Sequence, residues 1–387
     1  MCSSLTYFII TRYESQYIKN ITSDIADRIL NFKPLSVGDN LVGMDSYFKK
    51  ISLGLSMKSN DVRIVGICGI GGIGKTTIVG YIYNQISSEF ECSSFLEDAK
   101  KVYKKKGLPC LQKLLLNDIQ KGENSKISNI HQGARVIQNS LYLRKALIVL
   151  DDVDDMDQLK FLVGNHAWYG KGSRIIITTR DKRWLTKLNV DYLYEVEGLK
   201  SDEALELFSQ YAFRPNLPKE DFKILSYHVI YYCQGLPLAL KVLGSFLYGK
   251  TIREWESELH KLEKEPRVEI QNVFKISFDG LDPTQKMILL DIACFFQGED
   301  RDFASKIWDR CELYGETNIR VLWEKCLITI SHNRIYMHGL IEKMCREIVR
   351  EQHPKDPSKW SRLWNPDDIY RAFISEEVRT NYLNSIA

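Results

Sequence analysis

Residues 69–77 read Gly-Ile-Gly-Gly-Ile-Gly-Lys-Thr-Thr, and no other stretch constrains the fold of this chain as strongly. They match the phosphate-loop pattern G-x-x-x-x-G-K-[ST], with Gly69, Gly74, Lys75 and Thr76 at the four fixed positions. Glycines let backbone N–H groups gather around a phosphate without a Cβ in the way. The pattern therefore predicts that the chain binds a nucleotide through its phosphates.

The sequence on either side has the form that such a loop requires. Val62–Cys68 is a short apolar run that predicts a buried strand, and Thr77–Ile86 predicts a helix whose positive end faces the same anion. Lys75 would then reach the β- and γ-phosphates, and Thr76 would place its hydroxyl on Mg²⁺. The alternative is a plain glycine-rich turn, which the four filled positions and both flanks disfavour. The predicted phosphate-binding residues are Gly69, Gly71, Gly72, Ile73, Gly74, Lys75, Thr76 and Thr77.

A pair of carboxylates follows another apolar run. Ala146–Leu150 predicts a strand, and Asp151 and Asp152 come directly after it. The carboxyl ends of parallel strands share one rim of a sheet, so we expect both side chains to face the same phosphates as Lys75. Asp151 would hold Mg²⁺ with Thr76, and its neighbour would orient an attacking water. Alone, the pair would more simply begin a helix, but the upstream phosphate loop favours the metal site.

Five apolar runs in this part of the chain alternate with helical stretches. Strands separated by helices predict a parallel sheet with helices on both faces. Arg180 follows the fourth apolar run, at the rim of the sheet where the nucleotide is expected to bind. A lone arginine there is usually a surface ion-pair partner, but its planar donor fork would also suit a γ-phosphate. The runs are Val62–Cys68, Ser94–Leu96, Ala146–Leu150, Arg174–Thr178 and Leu193–Val196.

The pattern becomes helical from residue 201. Asp202–Phe213 and Phe222–Tyr232 carry apolar residues at helical spacing, and Gly235 opens a further helix with Pro237 in its first turn. Trp255–Leu262 completes the set. These segments predict a small all-α bundle.

Residues 270–375 predict a third unit. Gln285–Phe296 is almost wholly apolar and predicts a buried helix, while Leu327–Ser331 and Arg334–Met337 alternate like two strands. Helices followed by a β-ribbon indicate a winged-helix module, and such modules often bind DNA. The helix Glu316–Cys326 mixes acidic and basic residues, so it lacks the basic surface of a DNA-recognition helix, and no DNA partner is expected. The following segment, Lys355–Phe373, predicts an irregular packed connector.

Composition narrows the classes of partner and compartment. The 387 residues carry 53 basic and 50 acidic side chains, a net charge of +3, which gives no electrostatic case for nucleic acid or an anionic membrane. The basic run Lys100–Lys106 is interpreted as a solvated helix end or loop. Nine cysteines without a C-x-x-C pair, several in apolar runs, indicate reduced thiols and no zinc. No apolar run reaches about 18 residues, so no membrane anchor is expected. We expect a cytoplasmic or nucleo-cytoplasmic location.

Taken together, these motifs closely resemble the NB-ARC module of plant intracellular immune receptors of the TIR-NB-LRR class, a STAND type of P-loop NTPase. The resemblance runs from about residue 12 to residue 373. Asp154 and the run Ala293–Phe296 look like the TIR rather than the coiled-coil branch. The motifs are the phosphate loop, Phe95–Glu97 with Gly107-Leu108, Leu150–Asp154, Gly172–Arg174 through Thr179-Arg180, Gly235–Leu240, Leu290–Phe296 and Met337-His338.

The resemblance implies three domains that close over ADP. It places Val42 near the adenine with Pro237 packed against it, Arg180 on the γ-phosphate, and His338 on the β-phosphate of ADP. ADP would hold a closed resting state and ATP would open it. The opened units would then assemble with copies of themselves or with other immune receptors. Hydrolysis would be a slow, Mg²⁺-dependent reset.

The resemblance also implies a division of the chain. The expected parts are a TIR remnant or linker helix (1–37), a P-loop nucleotide-binding α/β domain (38–198), a helical ARC1 domain (199–269), a winged-helix ARC2 domain (270–352) and a connector towards absent leucine-rich repeats (353–387). No TIR NAD-cleaving site is expected in this chain.

One departure from the family pattern bears on function. The pattern Met-His-Asp appears here as Met337-His338-Gly339, so a carboxylate at the interdomain latch is missing and autoinhibition is in question. Three other functions stay open beside a nucleotide-operated immune switch. They are a turnover ATPase or small-molecule kinase, a nucleotide-gated regulator that uses the winged helix, and a truncated nucleotide-binding adaptor of a full-length receptor.

Overall fold

A computed structural model describes residues 34–38, 41–120, 127–213, 220–264 and 267–374. Residues 1–33 of the expected TIR remnant or linker helix lie outside these ranges. Within them, the chain forms an α/β unit, a helical unit and a winged-helix unit in sequence order.

The α/β unit is built on a five-stranded sheet in which every pairing is parallel. The strand order β2-β3-β4-β1-β5 places the strand before the phosphate loop between β4 and β5. This confirms the parallel sheet predicted from the alternating apolar runs. The strands are β1 (Arg63–Cys68), β2 (Cys92–Leu96), β3 (Ala146–Val153), β4 (Arg174–Thr179) and β5 (Tyr192–Glu195).

Helices cover both faces of the sheet, as predicted. Alternate strand residues point to opposite faces, so Val65 and Ile67 join one buried cluster while Ile64 and Cys68 join another. The helices are α1 (Met44–Leu55), α2 (Lys75–Ile86), α3 (Ala99–Lys106), α4 (Leu108–Ile119), α5 (Ile130–Leu141), α6 (Met156–Leu162) and α7 (Lys182–Leu188).

Strand β3 runs three residues further than predicted. It was expected to end at Leu150, but it continues to Val153, so both carboxylates lie within the strand. Its register against β4 shifts between Leu150 and Val153, and Asp152 has φ 52° there. Such a bulge turns neighbouring side chains in different directions. The side chains of Asp151 and Asp152 therefore point in different directions, although the two residues are adjacent in sequence.

The helical unit packs around one tryptophan. Trp255 is buried, its ring contacts Phe208, Phe213 and Phe222, and its indole N–H donates to the Leu247 carbonyl at 3.0 Å. Aromatic clusters of this kind supply much of the packing energy of a small core. The helices are α8 (Ser201–Ala212), α9 (Lys223–Cys233), α10 (Pro237–Leu247) and α11 (Ile252–Lys264).

The third unit has the predicted β-ribbon, with β6 and β7 paired antiparallel. Helix α13 passes into a π-helical turn at Ile292–Phe296. The elements are α12 (Val268–Asp279), α13 (Pro283–Asp291), α14 (Arg301–Arg310), α15 (Gly315–Glu324), β6 (Thr329–Ser331), β7 (Arg334–Tyr336) and α16 (Gly339–Arg350). This arrangement is the winged-helix module that the sequence predicts.

Two expectations for this region need correction. Gln285–Phe296 was expected to be buried throughout, but Met287 is 45% exposed and Phe295 is 48% exposed. The winged-helix unit packs against only one side of this segment, so some apolar side chains of the segment stay exposed. The connector after residue 353 was expected to be irregular, yet it contains a helix over 366–374. It is packed, since Arg362 Nε donates to Asp291 Oδ1 at 2.6 Å.

Among the described helices, none combines the length and the apolar character needed to cross a membrane.

Candidate nucleotide-binding site

The phosphate loop connects β1 to α2 and depends on glycine at two positions. Gly72 has φ 80° and Gly74 has φ 96°, which side chains rarely adopt. A Cβ at Gly72 would also lie 2.9 Å from the Cβ of Leu238 in α10. The loop thus requires glycine for its own turn and for its close approach to the helical unit.

Lys75 lies beneath this loop. Its side chain is 7% exposed, and Nζ donates to the carbonyls of Gly69 at 2.8 Å and Ile70 at 3.1 Å. Burial, and next the nearby Arg180, lower the pKa of Lys75 to about 8. The side chain is therefore mainly a cation at pH 7, held inside the loop where a phosphate would bind.

Asp151 accepts two hydroxyl hydrogen bonds from different elements. Thr76 Oγ1 donates to one carboxylate oxygen at 2.8 Å, and Thr178 Oγ1 donates to the other at 2.6 Å. Strand β4 lies between β1 and β3, which brings Thr178 beside the carboxylate. Burial raises the pKa of Asp151, and the two hydroxyl groups oppose that rise. The side chain is held in one orientation, as a metal ligand needs to be.

These oxygens fit Mg²⁺ by their chemistry. Magnesium in nucleotide sites takes one or two protein oxygens, substrate phosphates and water rather than a full protein cage. Thr76 and Asp151 supply such a pair. No group of three or more His, Cys, Asp or Glu side chains suited to a metal occurs in the part of the chain that the structure describes.

Asp152 faces a different partner from its neighbour. Arg180 Nε lies 3.3 Å from Asp152 Oδ1, and Arg180 Nη1 donates to the Val273 carbonyl in α12 at 3.4 Å. The backbone N–H of Asp152 donates to Thr178 Oγ1 at 2.8 Å. The second carboxylate is thus paired with the predicted γ-phosphate sensor, and that sensor also contacts the winged-helix unit.

These groups line an open cavity of about 650 Å³, which we call the phosphate cleft. Four of its lysines come from α3, in the basic run that the sequence analysis interpreted as solvated. Their position could have been found from topology, because a helix after a parallel strand begins at the ligand rim. Asp154 balances two of them, with Lys100 at 3.3 Å and Lys104 at 3.7 Å. The lining includes Gly72, Gly74, Lys75, Thr76, Thr77, Lys100, Lys101, Lys104, Lys105, Asp151, Asp152, Arg180 and Pro237.

A second cavity, of about 430 Å³, lies on another side of the loop; we call it the wing cleft. Gly69 and Ile73 of the loop line it together with His338 and the segment 326–329 that leads into β6. His338 thus lines a different cavity from Asp151 and Asp152. Contact of His338 with a β-phosphate stays a prediction.

His338 caps the amino end of α16. Its Nδ1 accepts a hydrogen bond from the Leu340 N–H at 3.2 Å, while Nε2 is buried with no hydrogen-bond partner among the described residues. Burial lowers the pKa of His338 to about 4, partly offset by the Gln234 backbone. The ring is therefore neutral at pH 7, and Nδ1 as acceptor places the proton on Nε2. A buried donor at this position would suit an anionic oxygen.

Val42, Pro237 and Gly71 are three further residues that the sequence analysis predicted for this site. Val42 is buried just before α1, in the same cluster as Ile73. Pro237 is the first residue of α10, and a Cβ at Gly74 would lie 3.8 Å from its ring. Gly71 packs against α12, where an added Cβ would lie 2.8 Å from a methyl group of Val273. Adenine contact by Val42 and Pro237 stays a prediction.

The winged-helix unit also contacts the α/β unit through charged side chains of α7 and α15. Lys325 lies 3.6 Å from Asp181, and Arg183 lies 3.9 Å from Glu324. Lys182 sits 4.4 Å from the ring centre of Trp323. The helix that the sequence analysis considered for DNA binding thus contacts the nucleotide unit at its carboxyl end, and the absence of a DNA partner stays a prediction.

Comparison with known proteins agrees with this geometry. The fold is similar to that of a Walker-type ATPase of Pyrococcus abyssi, with a TM-score of 0.56 and 13% identity over 81% of this chain and 99% of that chain. The NB-ARC domain model matches residues 45–218, and the winged-helix domain model of Roq1-like disease resistance proteins matches residues 282–353.

Curated relatives extend the match over most of the chain. Disease resistance protein RUN1 of Vitis rotundifolia is 55% identical over 94% of this chain and 27% of its own length. RPV1 from the same species is 54% identical over 95% of this chain and 26% of its length. TMV resistance protein N of Nicotiana glutinosa is 39% identical over 97% of this chain and 32% of its length. The chain spans about a quarter to a third of these relatives.

The sheet order and the phosphate loop define a P-loop NTPase. Within that class, the chain contains an NB-ARC domain at residues 45–218 and a Roq1-like winged-helix domain at residues 282–353, and its relatives over most of its length are named plant disease resistance proteins.

Proposed function

We propose that this chain is an ADP/ATP-operated switch in plant disease resistance signalling. ADP holds the three units closed, and exchange for ATP opens them. Hydrolysis is slow and Mg²⁺-dependent, and it resets the switch. The opened form assembles with copies of itself or with other immune receptors. The protein works in the cytoplasm or in both cytoplasm and nucleus.

The observation that carries this proposal is that the phosphate loop touches both downstream units. The Leu238 N–H of α10 donates to the Gly72 carbonyl at 3.3 Å. Gly71 packs against Val273 of α12, and Arg180 reaches the Val273 carbonyl. A change in the phosphates bound by this loop would therefore act directly on the contacts that hold the units together.

The free energy needed to shift the equilibrium between closed and open states determines how much these contacts must contribute. Shifting a two-state equilibrium from 1:99 to 99:1 takes about 5.5 kcal/mol of differential binding. A γ-phosphate that drew Arg180 away from Asp152 and Val273 would contribute to this free-energy difference through the partly buried Arg180–Asp152 ion pair. Hydrogen bonds to charged groups are worth roughly 1.5–3 kcal/mol each. Several such changes, including one at His338, are needed together.

Loss of the latch carboxylate is compatible with a closed state. The Gly339 N–H donates to Gln234 Oε1 at 2.8 Å, which joins α16 to the turn between α9 and α10. A Cβ at residue 339 would lie 2.5 Å from Gln234 Nε2, so a side chain there would displace the end of the Gln234 side chain. The Gln234–Gly339 bond supports closure between the helical and winged-helix units without an aspartate.

The nucleotide carried by the purified chain tests this function. We expect stoichiometric ADP on denaturation of the wild type and none from Lys75→Ala. Lys113→Ala, which removes an exposed lysine of α4, is the matched control and should carry ADP like the wild type. Bound ATP in place of ADP would contradict the closed resting state. Folded wild-type protein without nucleotide would overturn the proposal.

A further inference from the structure

One face of α3 carries lysines at positions 100, 101, 104 and 105, and all four line the phosphate cleft. Residues four apart on a helix lie one above the other on the same side. Val102 and Tyr103 lie on the other side and pack against the core of the α/β unit, which turns the lysine face towards the cleft. The basic run that the sequence analysis interpreted as solvated therefore forms a wall of the candidate site.

One carboxylate oxygen holds two of these lysines together. Lys100 Nζ lies 3.3 Å from Asp154 Oδ2, and Lys104 Nζ lies 3.7 Å from the same oxygen. The other carboxylate oxygen accepts a hydrogen bond from Gln158 Nε2 at 3.1 Å, and the Asp154 N–H donates to Gln158 Oε1 at 3.2 Å. Because Gln158 is fully buried, it fixes Asp154 in place. Two positive charges thus share one negative charge, which leaves the lysine pair with an excess of positive charge.

The pair lies on the same wall of the phosphate cleft as Arg180. A cavity of about 280 Å³ adjoins the cleft, and the two cavities have a common wall. Lys100, Lys104, Asp152 and Arg180 line both cavities. Because Arg180 is the predicted γ-phosphate sensor, the lysine pair lies at the end of the cleft where a terminal phosphate is expected.

The lining of the phosphate cleft is positively charged overall. It contains six lysines and one arginine, against the four carboxylates Glu97, Asp98, Asp151 and Asp152. A nucleoside triphosphate carries more negative charge than a diphosphate, and its terminal phosphate makes the difference. Ammonium groups bind phosphate oxygens through charge-assisted hydrogen bonds. Cations at this end of the cleft therefore favour the triphosphate.

We propose that Lys100 and Lys104 bind the terminal phosphate of a nucleoside triphosphate and so set the preference of the site for ATP over ADP. The inference rests on the proposed nucleotide switch and adds two specificity-determining residues to its site. Asp154 is their partner in the structure, and an incoming terminal phosphate draws both ammonium groups towards itself. Helix α3 then supplies, beside Arg180, part of the differential binding that the switch requires.

The test measures the affinity for ADP and for a non-hydrolysable ATP analogue by isothermal titration calorimetry, on the full chain freed of bound nucleotide and with saturating Mg²⁺. Lys100→Met combined with Lys104→Met removes both charges and keeps the length of the side chains. We expect the Kd of the ATP analogue to rise by at least about tenfold, because two charge-assisted hydrogen bonds are lost. The Kd of ADP should rise by less than about threefold, since solvent and salt screen the more distant phosphates.

Two further variants are controls. Lys106→Met removes an exposed lysine of the same helix, outside the lining of the cleft, and should leave both Kd values unchanged. Lys100→Arg combined with Lys104→Arg keeps both charges and should bind both nucleotides within about threefold of the wild type. Retained ADP binding shows that each variant is folded.

The outcomes separate this inference from the proposed function. Equal losses for ADP and the ATP analogue in the double methionine variant, or no loss for the ATP analogue, would overturn the role of the lysine pair while ADP binding by the wild type stands. A loss in the double arginine variant as large as that in the methionine variant would show that shape rather than charge decides, and would overturn it too. A wild-type chain that binds neither nucleotide would overturn the proposed function itself.

Discussion

At the scale of single residues, Lys75 makes nucleotide binding sensitive to pH. Its pKa is about 8 when buried beneath the loop, compared with an ordinary value of 10.5. A bound polyphosphate stabilises the charged form and so raises that pKa. Binding therefore takes up a proton once the pH exceeds about 8, and affinity must fall as pH rises further.

We predict that ADP affinity is nearly constant from pH 6.5 to 7.5 and falls by up to about tenfold per pH unit above pH 8. Isothermal titration calorimetry at pH 7, 8 and 9 in buffers of different ionisation enthalpy measures both the affinity and the proton uptake. The Lys75→Arg variant keeps its charge throughout this range, so any slope it retains belongs to other groups. Equal slopes in Lys75→Arg and wild type would contradict this role of Lys75.

The Thr178 hydroxyl is a second residue whose contribution can be measured. Thr178→Val keeps the shape of the side chain but removes its hydroxyl. That hydroxyl donates to the buried Asp151 carboxylate and accepts a hydrogen bond from the Asp152 N–H. We expect a loss of about 1–3 kcal/mol in unfolding free energy, measured by urea denaturation. Thr329→Val on the exposed face of β6 is the control and should change stability by less than about 0.5 kcal/mol. Similar small losses in both variants would show that Thr178 does not support Asp151.

At the scale of secondary-structure elements, the contact between α7 and α15 holds the winged-helix unit against the nucleotide unit. Asp181 caps α7 and carries the charge that faces Lys325. Asp181→Asn keeps the cap and removes the charge, so we expect closure to weaken by on the order of 1 kcal/mol, about a fivefold rise in opening. Limited digestion with trypsin, followed by mass spectrometry of cleavage after Lys325, measures that opening.

The control for this element is Asp302→Asn in α14, which removes an exposed ion pair with Arg301 inside the same unit. It should leave the cleavage rate after Lys325 unchanged. If both variants accelerate cleavage alike, the effect comes from general loosening of the winged-helix unit and the contact between α7 and α15 has no special part in closure.

Sequence patterns predicted most elements because local periodicity determines them. The five strands and the β-ribbon were found from apolar runs, and the phosphate loop from its spaced glycines. The extent of β3 was missed because the bulge at Asp152 depends on pairing with β4, a strand more than twenty residues away in sequence. The exposure of Met287 and Phe295 was missed because composition does not show which side of a helix a unit leaves uncovered.

The site itself was predictable only in part. Lys75, Thr76 and the carboxylates came from spacing and strand order, and the structure brings them together in the phosphate cleft. The lysines of α3 and the contacts of Leu238 and Val273 with the loop were missed. The contacts of Leu238 and Val273 arise where separate units meet, which no local pattern encodes, whereas the lysines of α3 could have been placed at the ligand rim from strand topology.

At the scale of the whole molecule, the phosphate loop is the place where three units meet. Leu238 reaches it from the helical unit and Val273 from the winged-helix unit. The Gln234–Gly339 bond lies at a further junction, between the helical and winged-helix units. In the proposed switch, nucleotide binding and domain closure therefore form one equilibrium, in which a ligand acts only through its different affinity for the two states.

The most direct test of that claim is hydrogen exchange of the full chain with ADP and with a non-hydrolysable ATP analogue, both saturating with Mg²⁺. Both nucleotides should protect residues 69–77. We expect α12 and α15 to be protected with ADP and to exchange at least tenfold faster with the ATP analogue, while Lys75→Ala shows no difference between the two. Equal protection of α12 and α15 with both nucleotides, with the loop protected in each, would contradict the switch.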